Sequence, residues 1–142
     1  RSRLVGSEMC IRDRLSPFAI SLGSAFQKVN FLRDIKDDSN ILNRVYFPNV
    51  DMANFNEHSK KEIIEEIEED FKNAVKGIIR LPKNSKFAVY IAYRYYFKLL
   101  KKLKRISSEN IVKKRVRIHN FQKFTVIARS YVKYQLNLIQ WI

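Results

Sequence analysis

The sequence predicts an all-α protein, and three observations indicate this class. Apolar side chains recur at intervals of three and four residues along most of the chain, which is the spacing of one face of an α-helix. Three Gly and three Pro in 142 residues are too few for a turn-rich sandwich or barrel. An apolar fraction of 46% suffices for a sizeable core, which disfavours extensive disorder, and a single Cys can form no internal disulfide.

The first 14 residues do not follow this pattern, because they show neither helical nor alternating periodicity. Their segment LVGSEMCIRDR resembles translated sequencing-adapter sequence, and a genuine irregular lead-in is the alternative. The first interpretation is favoured, so residues 1–14 are treated as a non-native lead-in and residues 15–142 as the domain.

Five helices are predicted after this lead-in. Ser16 followed by Pro17 indicates an N-cap and a first helical position, and a polar, Asn-rich stretch after the first helix indicates a long loop. Ser59 and Glu62 fit a capping box at the start of the second helix. The predicted helices cover about residues 16–38, 57–79, 84–105, 108–118 and 121–140, with the loop at 39–56.

Charge is unevenly distributed between the two halves of the chain. Residues 1–75 hold 11 basic and 13 acidic side chains, whereas residues 76–142 hold 17 basic and one acidic, and the whole chain carries +14. The acidic residues of the first half could bind a metal, and the basic residues of the second half could bind a polyanion such as nucleic acid, anionic lipid or a diphosphate. Charge alone does not choose among these partners.

The most informative segment is a polar row at the end of the first predicted helix. Asn30, Asp34 and Asp38 are spaced at i, i+4 and i+8, and Gln27 extends the row by one turn. Like charges in a row are unfavourable on a bare helix but become favourable when a divalent cation lies between them. Mg²⁺ suits the row because it binds one or two carboxylates and completes its shell with water and phosphate oxygens.

Arginines near this row could hold a diphosphate whose other oxygens bind the metal. Arg33 lies at the edge of the same helical face, and Arg44 follows in the loop. Small residues at the start of the segment, Gly23 among them, would let a helix or a flat ligand approach the backbone. The alternative, that the carboxylates only solvate a helix C-terminus, opposes the helix dipole but stays open on spacing alone.

The same residues resemble a known family motif. The pattern is Gly23-x-Ala25-x-Gln27-x-x-Asn30-x-x-Arg33-Asp34-x-x-Asp37-Asp38, followed by Arg44-x-Tyr46-x-Pro48. It closely resembles the second aspartate-rich motif of the phytoene and squalene synthases, with mild departures at Asp37 and Asn43. The following helix, Val89-Tyr90-x-Ala92-x-x-Tyr95-Tyr96, and a basic tail with Arg115, Arg117 and Lys123 extend the resemblance over residues 15–142.

The resemblance implies an all-α isoprenoid synthase fold that joins two prenyl diphosphates head to head, with Mg²⁺ assisting the loss of diphosphate. The implied substrates are geranylgeranyl or farnesyl diphosphate, and the products belong to carotenoid or triterpenoid biosynthesis. The carried-over roles are metal binding by Asp34 and Asp38 with Asn30 and Asp37 in support, diphosphate binding by Arg33 and Arg44, and pocket lining near the reacting carbons by Gln27 and Tyr96.

The family's first aspartate-rich motif is expected upstream of Gly23, where only the adapter-like residues stand. The chain is therefore predicted to be the C-terminal half of the enzyme and to form no product alone. Its first helix would expose apolar residues that the missing half should cover, and the fragment would then self-associate. The residues expected to be exposed are Phe18, Leu22, Phe26 and Val29.

Two other readings are weighed for the basic and aromatic residues. A cluster from Lys101 to Arg105 could contact an anionic membrane or merely solvate a helix end, and a cytoplasmic protein, at most peripheral at the membrane, is expected. The aromatic helix could stack nucleic-acid bases, but core packing is favoured, so no nucleic-acid partner is expected. A non-catalytic basic module and a prenyl diphosphate hydrolase remain alternative functions.

Overall fold

The computed structural model describes residues 2–35, 47–50 and 54–136. These residues form five α-helices joined by turns and short extended segments, and no strand occurs among them, which confirms the all-α prediction. The helices are α1 (Ser2–Arg33), α2 (Glu57–Ile78), α3 (Lys83–Arg105), α4 (Ser108–Lys113) and α5 (Asn120–Gln135). No helix in the described part is long and apolar enough to cross a membrane.

Helix α1 differs from the prediction at both ends. It begins at Ser2 rather than Ser16, and Pro17 lies inside it. Proline φ is compatible with a helix, and its missing N–H removes a single bond to the carbonyl four residues earlier, so the helix continues through it. At the other end the helix stops at Arg33, and Asp34 and Ile35 form a turn, whereas Asp38, the last member of the predicted row, lies outside the described residues.

The N-cap of helix α2 lies three residues before Ser59, where the capping box was predicted to begin. Asn56 has an extended backbone, with φ −131° and ψ −179°, and its side-chain oxygen accepts a hydrogen bond from the Ser59 N–H at 3.0 Å. Asn56 is therefore the N-cap and Ser59 lies in the first turn, so the capping-box prediction is wrong. The helical periodicity of the sequence also predicts an apolar stripe along α2, and this stripe is confirmed because its five residues are buried: Ile63, Ile67, Phe71, Ala74 and Ile78.

Helices α1 and α2 pack closely where Gly77 meets Phe18. A Cβ built on Gly77 would lie 2.8 Å from Phe18 Cγ and even closer to Phe18 Cβ. Phe18 Cβ is tied to its own backbone, so it can move only if α1 shifts as well. The close approach expected at Gly23 occurs at Gly77 instead, since no atom of the described neighbours lies within 4 Å of a Cβ on Gly23.

Alanine at these two glycines should therefore have opposite effects on stability. Gly77→Ala gains about 1 kcal/mol of helix propensity but loses about 1–3 kcal/mol to overpacking, so a net loss of up to about 2 kcal/mol is expected. Gly23→Ala keeps the propensity gain of about 1 kcal/mol without a clash. Urea denaturation of both variants measures the difference, and equal stabilisation by both would contradict the close α1–α2 contact.

The core combines aliphatic side chains with a cluster of aromatic rings from α1, α2 and α3. Phe71 is buried against Tyr93 and Phe97, with ring centroids 5.5 Å and 5.7 Å away, and Phe26 stacks on Tyr96 at 4.1 Å. Tyr93 is buried, and burial raises the pKa of its hydroxyl. The aromatic residues of α3 are thus core and lining, as favoured from the sequence, rather than a platform for bases.

The expectation that α1 exposes an apolar face to water is wrong for the described residues. Val29 is fully buried, and Phe18, Leu22 and Phe26 are half-buried because they pack against the other helices of the bundle. Phe18, for example, lies under the guanidinium of Arg80, which is 5.3 Å from the ring centroid. The apolar surface predicted on α1 is used inside this chain.

A buried lysine joins α1 to α2. Lys28 forms ion pairs with Asp70, at 2.8 Å, and with Glu66, and its side chain is only 11% exposed. Ser24 donates a further hydrogen bond to Asp70 at 2.7 Å. Burial alone would lower the pKa of Lys28, but its hydrogen bonds to Asp70 and Glu66 raise it overall. Lys28 is therefore charged at neutral pH and holds α1, with its polar row, against α2.

Replacing Lys28 by Met should lower the free energy of unfolding by about 2 kcal/mol, because Asp70 and Glu66 would lose their shared cation. The figure is modest for a buried pair because Glu66 is 53% exposed. The Lys28 contribution is complete below its unfolded pKa and disappears as pH rises through the higher folded value. Lys61→Met, which removes an exposed pair at 3.8 Å, is the matched control and should change stability little.

The first turn of α2 also holds the junction between α3 and α4. Lys60 donates to the carbonyl oxygens of Lys104, at 3.2 Å, and Ile106, at 2.6 Å, which lie at the end of α3. The Glu57 carboxylate accepts from the N–H of Ser108 at the start of α4, and this hydrogen bond lowers the pKa of Glu57. Both contacts satisfy helix-terminal groups that would otherwise need water.

The chain from α4 to α5 becomes extended before it turns helical again. Helix α4 ends at Lys113 rather than near 118. Residues 115–119 are not helical, and the backbones of Lys114 and His119 at the two ends of this segment are extended. Within it Val116 and Ile118 are buried, and Arg115 and Arg117 are exposed. This alternation is that of a strand-like segment with one face on the core. The predicted break before the last helix is confirmed, and α5 begins at Asn120 and ends at Gln135.

Candidate diphosphate and metal site

The site is built at the C-terminal end of α1. Asn30 and Arg33 lie in its last turns, and the Asp34 N–H still donates to the carbonyl oxygens of Asn30, at 3.0 Å, and Phe31, at 3.1 Å. This bonding extends the helical path by one residue, so Asn30 and Asp34 share a face although the regular helix has ended. The sequence-predicted spacing is thus realised for these two members of the row.

Both oxygens of the Asp34 carboxylate interact with arginine. Arg33 Nη2 donates to Oδ2 at 2.6 Å, and Arg33 Nε lies 3.1 Å from Oδ1. Arg115 Nε, from the extended segment after α4, lies 2.8 Å from Asp34 Oδ1. The hydrogen bond to Asp34 raises the pKa of the Arg33 guanidinium. Asp34 therefore gathers two cations that belong to sequence segments about 80 residues apart.

Asn30 links the site to the aromatic helix α3. Its Nδ2 donates to the Tyr96 hydroxyl at 3.2 Å, and Tyr96 in turn stacks on Phe26. The other end of the Asn30 amide, Oδ1, is buried and accepts no hydrogen bond from any described residue. A buried carbonyl oxygen without a donor is costly, so this atom is available to a cation or a donor from a ligand.

A cleft of about 330 Å³ lies beside Arg33 and Arg115. Its walls carry four cationic side chains and no acidic one among the described lining residues. The hydrophobic floor is formed by Leu99, Val116 and Ile118. Convergent guanidinium and ammonium groups of this kind suit a polyanionic group such as a phosphate or diphosphate. The four cations are Arg33, Arg115, Arg117 and Lys123.

The structure brings some of the sequence-predicted residues together and leaves others outside the description. Asn30, Arg33, Asp34 and Tyr96 form one connected group. Gln27 is exposed one turn before Asn30 and is not among the residues of the cleft. The remaining predicted residues lie outside the described part of the chain: Asp37, Asp38 and Arg44.

Arg115 is the residue whose place in the site the sequence did not predict. The family resemblance placed Arg115 in a basic tail, but its position in the sequence did not predict a contact with Asp34. The alternation of Arg115 and Arg117 with Val116 and Ile118 carries a usable signal, because it puts both arginines on one face of an extended segment.

The donor set of the site fits Mg²⁺ in part. Asp34 supplies a carboxylate and Asn30 supplies the buried Oδ1, and a magnesium site needs only one or two carboxylates in addition to water and substrate oxygens. No group of three His, Cys, Asp or Glu side chains that could hold a metal occurs within residues 2–35, 47–50 and 54–136. Metal binding by Asp34 would also have to displace an arginine from one of its oxygens.

Comparison with known proteins identifies a family. The model of the family described as squalene/phytoene synthase matches residues 3–122 of the chain. The match includes α1 to α4, the extended segment and the start of α5, and so contains the whole α1–α3 core and the residues around Asp34. Neither the curated proteins nor the solved structures yield a significant match.

Proposed function

The chain belongs to the squalene/phytoene synthase family, and on that premise we propose that it forms part of a prenyltransferase that condenses two prenyl diphosphates head to head. The observation that carries the proposal is the cationic cleft lined by Arg33 and Arg115, which both bind the Asp34 carboxylate. One turn before Asp34, the buried Oδ1 of Asn30 accepts no hydrogen bond from the described residues. Geranylgeranyl or farnesyl diphosphate is the proposed substrate, and phytoene or squalene the corresponding product.

Each group of the site has a proposed task in this reaction. Arg33 and Arg115 bind oxygens of the diphosphate and stabilise its negative charge as the allylic carbon–oxygen bond breaks. Asn30 and Asp34, together with Asp37 and Asp38, would hold Mg²⁺, which when bound supplies Lewis-acid stabilisation of the same leaving group. The stacked aromatic rings of Phe26 and Tyr96 keep water away from the prenyl chain next to the leaving diphosphate.

The alternatives make different demands on the same surface. A hydrolase for prenyl diphosphates would need a positioned water in place of the second hydrocarbon chain, and it would bind the diphosphate with the same groups. A non-catalytic module that stacked nucleic-acid bases on the aromatic helix α3 would need exposed rings there, whereas Tyr90 and Tyr93 are buried. We therefore propose a cytoplasmic enzyme with a diphosphate site and no nucleic-acid partner.

Calorimetric titration with geranylgeranyl or farnesyl diphosphate, with and without Mg²⁺, tests the proposal. Metal-dependent binding that pyrophosphate alone reproduces only weakly would support a prenyl diphosphate site. Salt-sensitive binding to any polyanion, independent of Mg²⁺, would contradict it. Release of inorganic diphosphate without a head-to-head product from the complete enzyme would favour the hydrolase.

Replacing Arg115 by Ala should weaken binding of the prenyl diphosphate by about tenfold, the size expected for one charge-assisted hydrogen bond. Arg105→Ala is the matched control, because Arg105 is an exposed arginine at the end of α3 that does not line the cleft. Equal losses in the two variants would mean that Arg115 acts only through the overall positive charge.

A further inference from the structure

Helix α5 carries an exposed apolar surface that the proposed chemistry does not use. Seven large apolar side chains are exposed among the described residues; four of them are on this helix and a fifth is its C-cap residue, Leu136. Their exposed fractions lie between 47% and 71%. The five, here called the α5 stripe, are Phe124, Ile127, Tyr131, Val132 and Leu136.

The stripe is one face of the helix. Phe124, Ile127 and Tyr131 follow the i, i+3, i+7 spacing, and Val132 continues the face at i+8 from Phe124. The opposite face, with Val126 and Ser130, is buried. Helix α5 therefore has two different faces: one packs on α3, and the other, which carries the apolar stripe, is exposed to solvent.

Cations lie along both edges of the stripe. On one side Lys123 shares the cleft of Arg115 and Arg117. On the other side Arg129 lines a groove of about 170 Å³ between α3 and α5, together with three cations of α3: Arg94, Lys98 and Lys101. Helix α5 has no acidic residue, and the whole segment 76–142 has only Glu109. The apolar stripe is therefore embedded in a strongly positive surface.

We infer that the α5 stripe docks on an anionic lipid bilayer, with its apolar side chains among the acyl chains and the flanking cations at the headgroups. Aromatic and aliphatic side chains between rows of Lys and Arg are the features of helices that lie in a membrane interface. A membrane surface suits the proposed enzyme, because its substrate and product are lipids. The inference does not depend on the proposed reaction, since the stripe lies outside the diphosphate cleft.

The charge distribution argues against other occupants of the stripe. A second copy of the chain would bring an equally positive surface against this one, which like-charge repulsion opposes. Nucleic acid would satisfy the cations, but Ile127, Val132 and Leu136 have no role in stacking on bases. An anionic bilayer satisfies both the cations and the aliphatic side chains. All five stripe residues also lie beyond residue 122, outside the segment that the family match covers.

Vesicle co-sedimentation of the full 142-residue chain tests the inference. Vesicles of phosphatidylcholine are compared with vesicles that also contain phosphatidylserine, and binding is expected only or mainly to the anionic ones. Phe124→Ala with Ile127→Ala should weaken this binding at least about tenfold. Arg129→Gln should weaken it by about fivefold, because each cation near an anionic surface contributes a modest amount.

Ile20→Ala is the matched control, because Ile20 is 69% exposed on α1, away from the stripe, and should leave vesicle binding unchanged. Circular dichroism verifies that all variants fold. The inference is overturned if the stripe variants bind vesicles as well as the unmodified chain does, or if the chain binds neutral and anionic vesicles equally. It is also overturned if the stripe instead mediates self-association in sedimentation equilibrium or binding to duplex DNA. Prenyl diphosphate titrations of the same variants should be unchanged, which separates this inference from the proposed function.

Discussion

Replacing Phe71 by Ala is expected to lower the free energy of unfolding by about 3–5 kcal/mol. Phe71 is 1% exposed and its ring contacts three others, those of Phe26, Tyr93 and Phe97. Truncation would leave a cavity at the point where α1, α2 and α3 meet, and stacked rings on three helices cannot collapse into it without repacking the bundle. The loss is the largest that we expect for a single side chain.

Urea denaturation followed by circular dichroism measures this effect. Phe124→Ala is the matched control, because it removes the same side chain from a position that is 71% exposed, and it should cost less than about 1 kcal/mol. Similar losses for the two substitutions would show that the ring cluster around Phe71 is not the core of the folded chain.

Replacing Asp34 by Asn is expected to weaken Mg²⁺-dependent binding of a prenyl diphosphate by about 10–100-fold. Asn has the shape of Asp and can still accept a hydrogen bond from Arg33 or Arg115, so the fold around α1 should persist. What it loses is the negative charge that attracts the metal. In the complete enzyme the same loss would remove most product formation, and Asp38→Asn is predicted to do likewise.

Titration with the diphosphate at several Mg²⁺ concentrations measures the change. Glu69→Gln is the control, because it neutralises an exposed carboxylate of α2 by the same isosteric exchange, and it should leave the titration unaltered. A metal dependence in Asp34→Asn equal to that of the unmodified chain would remove Asp34 from the metal site and leave it as a partner for arginine alone.

The helix boundaries show which features the local sequence pattern could predict and which it could not. The apolar stripe of α2 was correctly predicted because periodicity is a property of consecutive residues. The cap was wrong because Asn56 and Ser59 both satisfy the local rule, and the choice depends on which of them the incoming chain leaves extended. The early end of α4 has a similar origin, since Val116 and Ile118 are buried in the non-helical segment that follows it.

The site divides in the same way. Asn30, Arg33 and Asp34 were predicted as one group because a helical turn brings them together whatever the rest of the chain does. Tyr96 entered through the family resemblance, and the structure joins it to Asn30 by a hydrogen bond. The contact between Asp34 and Arg115 could not be predicted, because no local rule relates two residues about 80 positions apart.

The sequence by itself determined the helical class, the apolar stripe of α2 and the grouping of Asn30 with Asp34, since each follows from spacing along one helix. Only the tertiary structure decided that Lys28 is buried, since a lysine can leave water only where Asp70 and Glu66 meet it from another helix. It also decided which apolar faces remain exposed. The predicted face of α1 packs against other helices, whereas the stripe of α5 stays about half exposed or more in the described structure, because burial depends on which helices pack together and not on how apolar each one is.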